Sequence, residues 1–334
     1  MSKRYFIFQV LWLLVSLLLY ASVLISPEQL RFVGLIAFTI PLVVGLNLIV
    51  FIFSFLVGSK MKWVSGVCLL LSIPFWSAAL QWDGNENLEQ KGVKLLSYNV
   101  KWFTNSRGNN YGEVLKWIKE QDADIMCFQE FYPLKNIAPR LSQNGKYNVA
   151  TDKDRFSVSI YSKYPIVQQG LLFDATQLNN IRYADINING DTVRVYNVHL
   201  QSMGMDTKRT RSVDEIESQM KPNLKKFINS HARRVEQMEV LQEHIKACPY
   251  PVMLAGDFND IPFSYNYFQM RYLLNNAFEH AGKGFGFTFN DRIPFLRIDN
   301  QFVSEEWAIK AFKTFSEVNF SDHYPIIGIF EISR

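Results

Sequence analysis

Only three cysteines occur in 334 residues, and Cys68, Cys127 and Cys248 show no CxxC spacing. That scarcity excludes a thiolate zinc site and a disulfide framework, and leaves buried bystander thiols as the reading. Acidic charge is nearly missing from the start of the chain. Residues 1–82 carry Lys3, Arg4, Arg31, Lys60 and Lys62 against a lone Glu28. The whole chain has a net charge of +4, the same as this first part, so the remainder is balanced. A neutral remainder argues against a dedicated nucleic-acid binder, whose affinity rests on clustered Lys and Arg, although a local basic patch stays possible. Internal repeats and low-complexity tracts are absent, and no Ser or Cys nucleophile with an attendant base is evident.

Charge is also lacking from three long apolar runs, Tyr5–Ser26, Phe32–Ser59 and Trp63–Trp82. A helix needs about 20 apolar residues to cross a bilayer, so each run predicts a transmembrane span, at about 5–26, 32–59 and 63–82. The first run is too long for a signal peptide and has no clean cleavage site. Pro41 and Pro74 fall inside spans two and three, where they are expected to kink the helices. Lys3 and Arg4 precede span one, and Lys60 and Lys62 follow span two. Short-loop basic residues stay in the cytoplasm, so the chain after Trp82 is expected outside the cytoplasmic (inner) membrane. With no charge mid-membrane, residues 1–82 read as an anchor in the lipid bilayer rather than a transport path.

Residues 83–92 form a polar linker, and 93–334 a further domain. Strands are expected at Val93–Asn99, Ile125–Phe128, Phe156–Tyr161, Pro251–Ala255, Ile298–Val303 and Ile326–Ile332, with helices at Glu113–Gln121 and about His231–Lys246. Ile181–Ile188, Asn189-Gly190 and Thr192–Asn197 spell a hairpin with a type I′ turn. Hairpins mixed with helices over one domain predict an α/β sandwich of two layers rather than a doubly wound parallel sheet.

Polar residues recur where apolar strands end: Asn99, Glu130, His199, Asp257 with Asn259, Asp299, and Asp322 with His323. Carboxylates and an amide suit a hard cation such as Mg²⁺, and two histidines can move protons or steady a phosphate. Direct attack by water follows as the expected chemistry. Taken singly, Asn99 and Asn259 read as turn formers, Asp257 as a helix cap, the histidines as core residues, and Tyr161 as packing. Asp299 could pair with Arg297. Glu130 is harder to dismiss, because an acid closing an apolar strand is costly to bury alone.

Together, Leu96-Ser-Tyr-Asn99, Phe128-Gln-Glu130, Asn197-Val-His-Leu200, Gly256-Asp-Phe-Asn-Asp260, Arg297-Ile-Asp299 and Ser321-Asp-His-Tyr-Pro325 resemble the endonuclease/exonuclease/phosphatase superfamily. The resemblance implies a deoxyribonuclease I-like fold, a two-sheet α/β/β/α sandwich, here preceded by three transmembrane helices. It implies Glu130 as the main ligand of Mg²⁺ (or Mn²⁺), with Asn99 and Asp322 beside it. Asp257 would orient or deprotonate water, and Asn259 would fix water or phosphate. A His323–Asp299 pair would face the phosphate, and His199 would donate to a phosphoryl oxygen. Tyr161 and Arg234 (or Arg233) are candidate phosphate contacts.

The sequence departs from the family pattern in three places. Asn300 stands where many relatives have Tyr, His199 has no identifiable acidic partner, and Gln201–Ser230 is long and polar. That segment, with Lys208, Arg209, Arg211, Lys221, Lys225 and Lys226, reads as a solvated loop in preference to a lipid-headgroup contact. The expectation is a membrane-tethered phosphoester hydrolase acting on nucleic acid, a phospholipid headgroup or a small phosphodiester, with no protein partner evident. The alternative is a non-catalytic binding module.

Overall fold

The apolar runs at the start of the chain become helices, because lipid offers no partner for open backbone groups. The computed structural model describes residues 3–103, 111–132, 137–142, 145–152, 157–203, 213–291 and 295–333. It divides into two units, one of Met1–Ala79 with Ile261–Gln269, the other of Leu80–Asp260 with Met270–Arg334. Helices α1 (Lys3–Ala21), α2 (Val33–Ala37), α3 (Ile40–Leu56), α4 (Met61–Leu71) and α5 (Ile73–Ala79) make up most of the first unit.

Two stretches, Lys3–Leu24 and Val33–Leu56, are long and apolar enough to span a membrane. The third expected span is not one continuous helix: α4 and α5 meet at a bend of 51°. Pro74 explains the break, since it has no N–H to offer the preceding turn and its ring crowds that turn's carbonyl. Pro41 likewise sits in the first turn of α3, after a break from α2. Polar side chains are among the buried residues of this unit, while many large apolar ones face outward. Asn47 is fully buried, accepting from Trp12 Nε1 at 2.8 Å and donating to Ser16 Oγ at 3.2 Å. Leu18, Leu42 and Leu56 face outward, the pattern of helices joined by small polar groups in lipid.

In the second unit, the strands are β1 (Val93–Asn99), β2 (Ile125–Phe131), β3 (Asn148–Ala150), β4 (Ser157–Ser162), β5 (Ile166–Leu171), β6 (Ile181–Ile188), β7 (Asp191–His199), β8 (Val252–Asp257), β9 (Asn275–Asn276), β10 (Asp299–Val303), β11 (Trp307–Thr314) and β12 (Ile326–Ile332). They form two six-stranded sheets, ordered β11-β12-β1-β2-β4-β3 and β5-β6-β7-β8-β10-β9. Leu95, Cys127 and Ile160 of the first sheet meet Ala184, Val195 and Met253 of the second in one apolar cluster. Helix α6 (Tyr111–Gln121) covers the outer face of the first sheet, with Val114, Leu115 and Ile118 on Tyr98, Phe128 and Tyr161, and the short α7 (Ala138–Leu141) adds Leu141 to the same cluster. Helix α8 (Val213–Lys246) is tied to the second sheet by Tyr196, whose hydroxyl meets His244 Nδ1 at 2.7 Å. The expected α/β/β/α sandwich is present.

The hairpin has Ile188 paired with Asp191, and Asn189 and Gly190 have φ of +54° and +105°. These left-handed turn residues match the twist of the flanking strands. The polar segment after Gln201 departs from the expected loop. Helix α8 begins at Val213, well before His231, and includes Pro222. Val213, Ile216, Met220, Leu224 and Phe227 recur at helical spacing there, a pattern that Pro222 and the many charged residues obscure. Lys208, Arg209 and Arg211 lie outside the described residues.

Two parallel pairs position the chemistry. β1 runs beside β2 with Asn99 opposite Gln129, and β7 beside β8 with His199 opposite Asp257. β10 runs antiparallel to β8 with Asp299 opposite Asp257. All these residues therefore share one rim of the sandwich. A Cβ on Gly256 would lie 2.0 Å from the Val198 carbonyl oxygen, so only glycine lets β7 and β8 close up beside the His199–Asp257 pair.

Candidate active site

Alternation along β1 turns Leu95, Ser97 and Asn99 toward the second sheet, and Leu96 and Tyr98 toward α6. On β2 the same alternation would point Glu130 away from the rim. A bulge between Phe128 and Phe131 intervenes, with Glu130 at φ +48°. Bulges of this kind re-aim a side chain. Glu130 consequently reaches Asn99, whose Nδ2 donates to Glu130 Oε1 at 3.3 Å and to Asp257 Oδ2 at 3.1 Å. Burial raises the Glu130 carboxyl above its usual range despite that bond.

Asp257 is the centre of the site. It is 1 % exposed, accepts the Asn259 N–H at 2.8 Å and Asn259 Nδ2 at 3.1 Å, and lies 3.8 Å from His199 Nε2 and 3.7 Å from His323 Nε2. Burial pushes its carboxyl up to about 6, with Asp299 adding to the shift and the two histidines opposing it. Asn259 turns back through φ +50° and also donates to the Leu200 carbonyl at 3.0 Å.

His323 donates through Nδ1 to Asp299 Oδ2 at 2.9 Å. Burial alone would lower its value, but Asp299 and Asp257 outweigh that and raise it to about 10. The imidazolium is therefore the form present at neutral pH. Arg297 does not compete for Asp299; its guanidinium lies 3.9 Å over the Phe278 ring. Phe289 packs against the His323 ring, with ring centroids 5.1 Å apart. Thr288 accepts the Asp299 N–H at 3.0 Å. Neither Thr288 nor Phe289 carried a signal in the sequence, because both come from a loop without strand or helix pattern.

His199 is buried and pushed down by desolvation, so it is neutral. Its missing partner is an amide rather than an acid. Asn179 Nδ2 reaches Nε2 at 3.2 Å while also donating to the Leu200 carbonyl at 3.0 Å. That arrangement makes Nε2 an acceptor and leaves the proton on Nδ1, which forms no well-made hydrogen bond. Gln129 and Asn197 act behind the site: Gln129 Nε2 donates to Asn197 Oδ1 at 2.6 Å, joining the two sheets beneath Asn99.

Two expected phosphate contacts are corrected. Tyr161 stands on the α6 side of its sheet, fully buried with its ring against Phe128 and Phe131, and does not face the rim. Arg234 is also buried. It donates to the Gln201 carbonyl at 3.0 Å and lies 3.8 Å from Asp260, so it braces the segments flanking His199 and Asp257. Arg233 is exposed.

The oxygen donors fit a divalent cation. Among the described residues, Glu130, Asp257, Asp299 and Asp322 outnumber the cations paired with them, Lys101 and His323, and buried carboxylates in excess call for another cation. The close trio Asp257, Asp299 and His323 lies within 4.8 Å, but His323 holds its proton there as an ion pair. Asn99, which donates to both Glu130 and Asp257, brings a further oxygen beside them. Asp322 is paired with Lys101; His323 and Lys101 overcome its burial and hold its carboxyl below the usual range.

A family model described as the Endonuclease/Exonuclease/phosphatase family matches residues 96–323. A second, a domain of unknown function (DUF8431), matches residues 2–79. No curated protein matches the chain. Among solved structures, an endonuclease/exonuclease/phosphatase from Bacteroides vulgatus is similar at 19% identity and TM-score 0.55, covering 73% of this chain and 100% of its own. A mannosyl-6-phosphatase from Bacteroides thetaiotaomicron is similar at 21% identity and TM-score 0.51, covering 72% and 100%. A humanized TDP2 from D. rerio is similar at 17% and 0.54, covering 72% and 98%. Identities this low reflect a shared fold.

The His323 pair also contributes stability that depends on pH. Its folded value, about 10, exceeds the ordinary 6.5, so the contribution is complete below about pH 6.5 and is lost as pH rises through about 10. In EDTA, His323→Gln should cost about 3 kcal/mol near pH 6, and the loss should shrink as pH approaches 10. Thermal unfolding of the full chain across that range measures it, and a pH-independent loss would contradict the assignment.

Proposed function

The chain belongs to the endonuclease/exonuclease/phosphatase family, and on that footing we propose that it is a membrane-tethered, divalent-metal-dependent phosphoester hydrolase. The observation that supports this reading best is the meeting of Asp257 with the His323–Asp299 pair, 3.7 Å from His323 Nε2, beside Asn99 and Glu130. In this reading Asp257, near neutrality in its proton affinity, accepts a proton from the attacking water. Asn259 and Asn99 hold its oxygens in place. His323, charged and fixed by Asp299, faces the phosphate and opposes the negative charge that builds there. Neutral His199 borders the same space and accepts from Asn179, so donating to a phosphoryl oxygen requires that its Nε2 first take up a proton.

Asn99, Glu130 and Asp322 would hold Mg²⁺ or Mn²⁺, which when bound supplies Lewis-acid stabilisation of phosphate oxygens. The substrate class covers nucleic acid, a phospholipid headgroup or a small phosphodiester. The balanced charge after residue 82 favours the latter two. The spans Lys3–Leu24 and Val33–Leu56, with the bent third pair, support tethering to a membrane. Their flanking basic residues support an extracytoplasmic catalytic domain at the cytoplasmic membrane.

The full chain in detergent, supplied with Mg²⁺ or Mn²⁺, should hydrolyse at least one of DNA, RNA, sphingomyelin, phosphoinositides or bis(p-nitrophenyl) phosphate. EDTA should abolish the activity, and Glu130→Gln should greatly weaken metal binding while keeping the shape of the side chain. Undiminished hydrolysis in EDTA contradicts the metal; metal binding without hydrolysis of any substrate favours a binding module. A reporter fused after Arg334 should behave as extracytoplasmic, and strong cytoplasmic reporter activity would refute that orientation.

A further inference from the structure

We propose that Lys101 is a built-in counter-cation of the metal site, its ammonium holding Asp322 until a divalent ion displaces it, so that Lys101 sets how tightly the site takes Mg²⁺. The inference rests on the metal-dependent reading above. Lys101 follows Asn99 by two residues, and its Nζ forms an ion pair with Asp322 Oδ2. Its backbone N–H donates at 3.1 Å to Asn99 Oδ1, the oxygen that Asn99 would offer a cation. One residue thus engages two of the three proposed ligands.

The backbone is bent to deliver it. Lys101 and Trp102 both adopt left-handed φ, +42° and +57°, which non-glycine residues seldom do. Such outliers at a site point to a functional constraint. The Lys101 side chain is 40% exposed, against 19% for Asp322, so the ammonium is the more solvated partner of the pair. An ammonium is a compact charge on a flexible stem, suited to being displaced. Two cations on one carboxylate repel each other, so ion entry and the Lys101 pair oppose each other.

Calorimetric titration of the full chain in detergent with Mg²⁺ alone, without substrate, tests this. Lys101→Met should bind Mg²⁺ about tenfold tighter than wild type, equivalent to about 1.4 kcal/mol. Lys101→Gln should do the same should the methionine variant misfold by circular dichroism, and Lys101→Arg should stay near wild type. Equal or weaker binding by the neutral variants, or equal tightening in Lys101→Arg, overturns the inference. Wild-type binding that Glu130→Gln abolishes, with Lys101→Met unchanged, overturns the inference alone. No Mg²⁺ binding by any form overturns the proposed function and this inference with it.

Discussion

A carboxylate as buried as Asp257 is tolerated only with charge and hydrogen bonds arranged around it. Asn99, Asn259, His199 and His323 all direct nitrogen toward its Oδ2 or lie within 4 Å of it. Asp299 stands behind His323 and keeps it charged. These groups come from five different segments of the chain. Their register, Asp257 opposite both His199 and Asp299, exists because β8 is flanked by a parallel and an antiparallel neighbour. The topology of the second sheet and the electrostatics of the rim are therefore one constraint.

Backbone irregularity gathers at the same rim. Glu130, Asn259 and Lys101 all have left-handed φ, and Gly256 allows a contact that a Cβ would forbid. Each departure costs local stability, of order 1–3 kcal/mol for a strained non-glycine residue. The regular core beneath, with Gln129 joined to Asn197 across the sheets, is what holds such departures in place.

Much of the fold was legible. β1 and β12 fall where their apolar runs predicted, and the Asn189-Gly190 turn lies where its residues demand. Glu130 was legible as an acid closing an apolar strand, although the bulge that aims it was not. Strand parity is what keeps Tyr161 from the rim: it sits opposite Met126, on the α6 face, while Ile160 opposite Cys127 faces inward. Arg234 belongs to the buried stripe Phe227, His231, Arg234, Met238, Leu241 of α8, a helical spacing that marks it as internal. Asn179, Thr288 and Phe289 reach the site from loops, where no local pattern announces a long-range contact. Pro74 showed that a third span would bend, but not by how much.

The central claim is that Asp257 and His323 serve one transition state. It is tested most directly by kcat for Asp257→Asn, His323→Ala and the double variant on one hydrolysed phosphodiester, with circular dichroism to confirm folding. General acid–base assistance is worth about 10²–10⁴-fold, so each single variant should lose at least that order. The double should be far less impaired than the product of the singles, because groups acting as one unit are not additive. A folded His323→Ala protein with near-full activity would contradict the account.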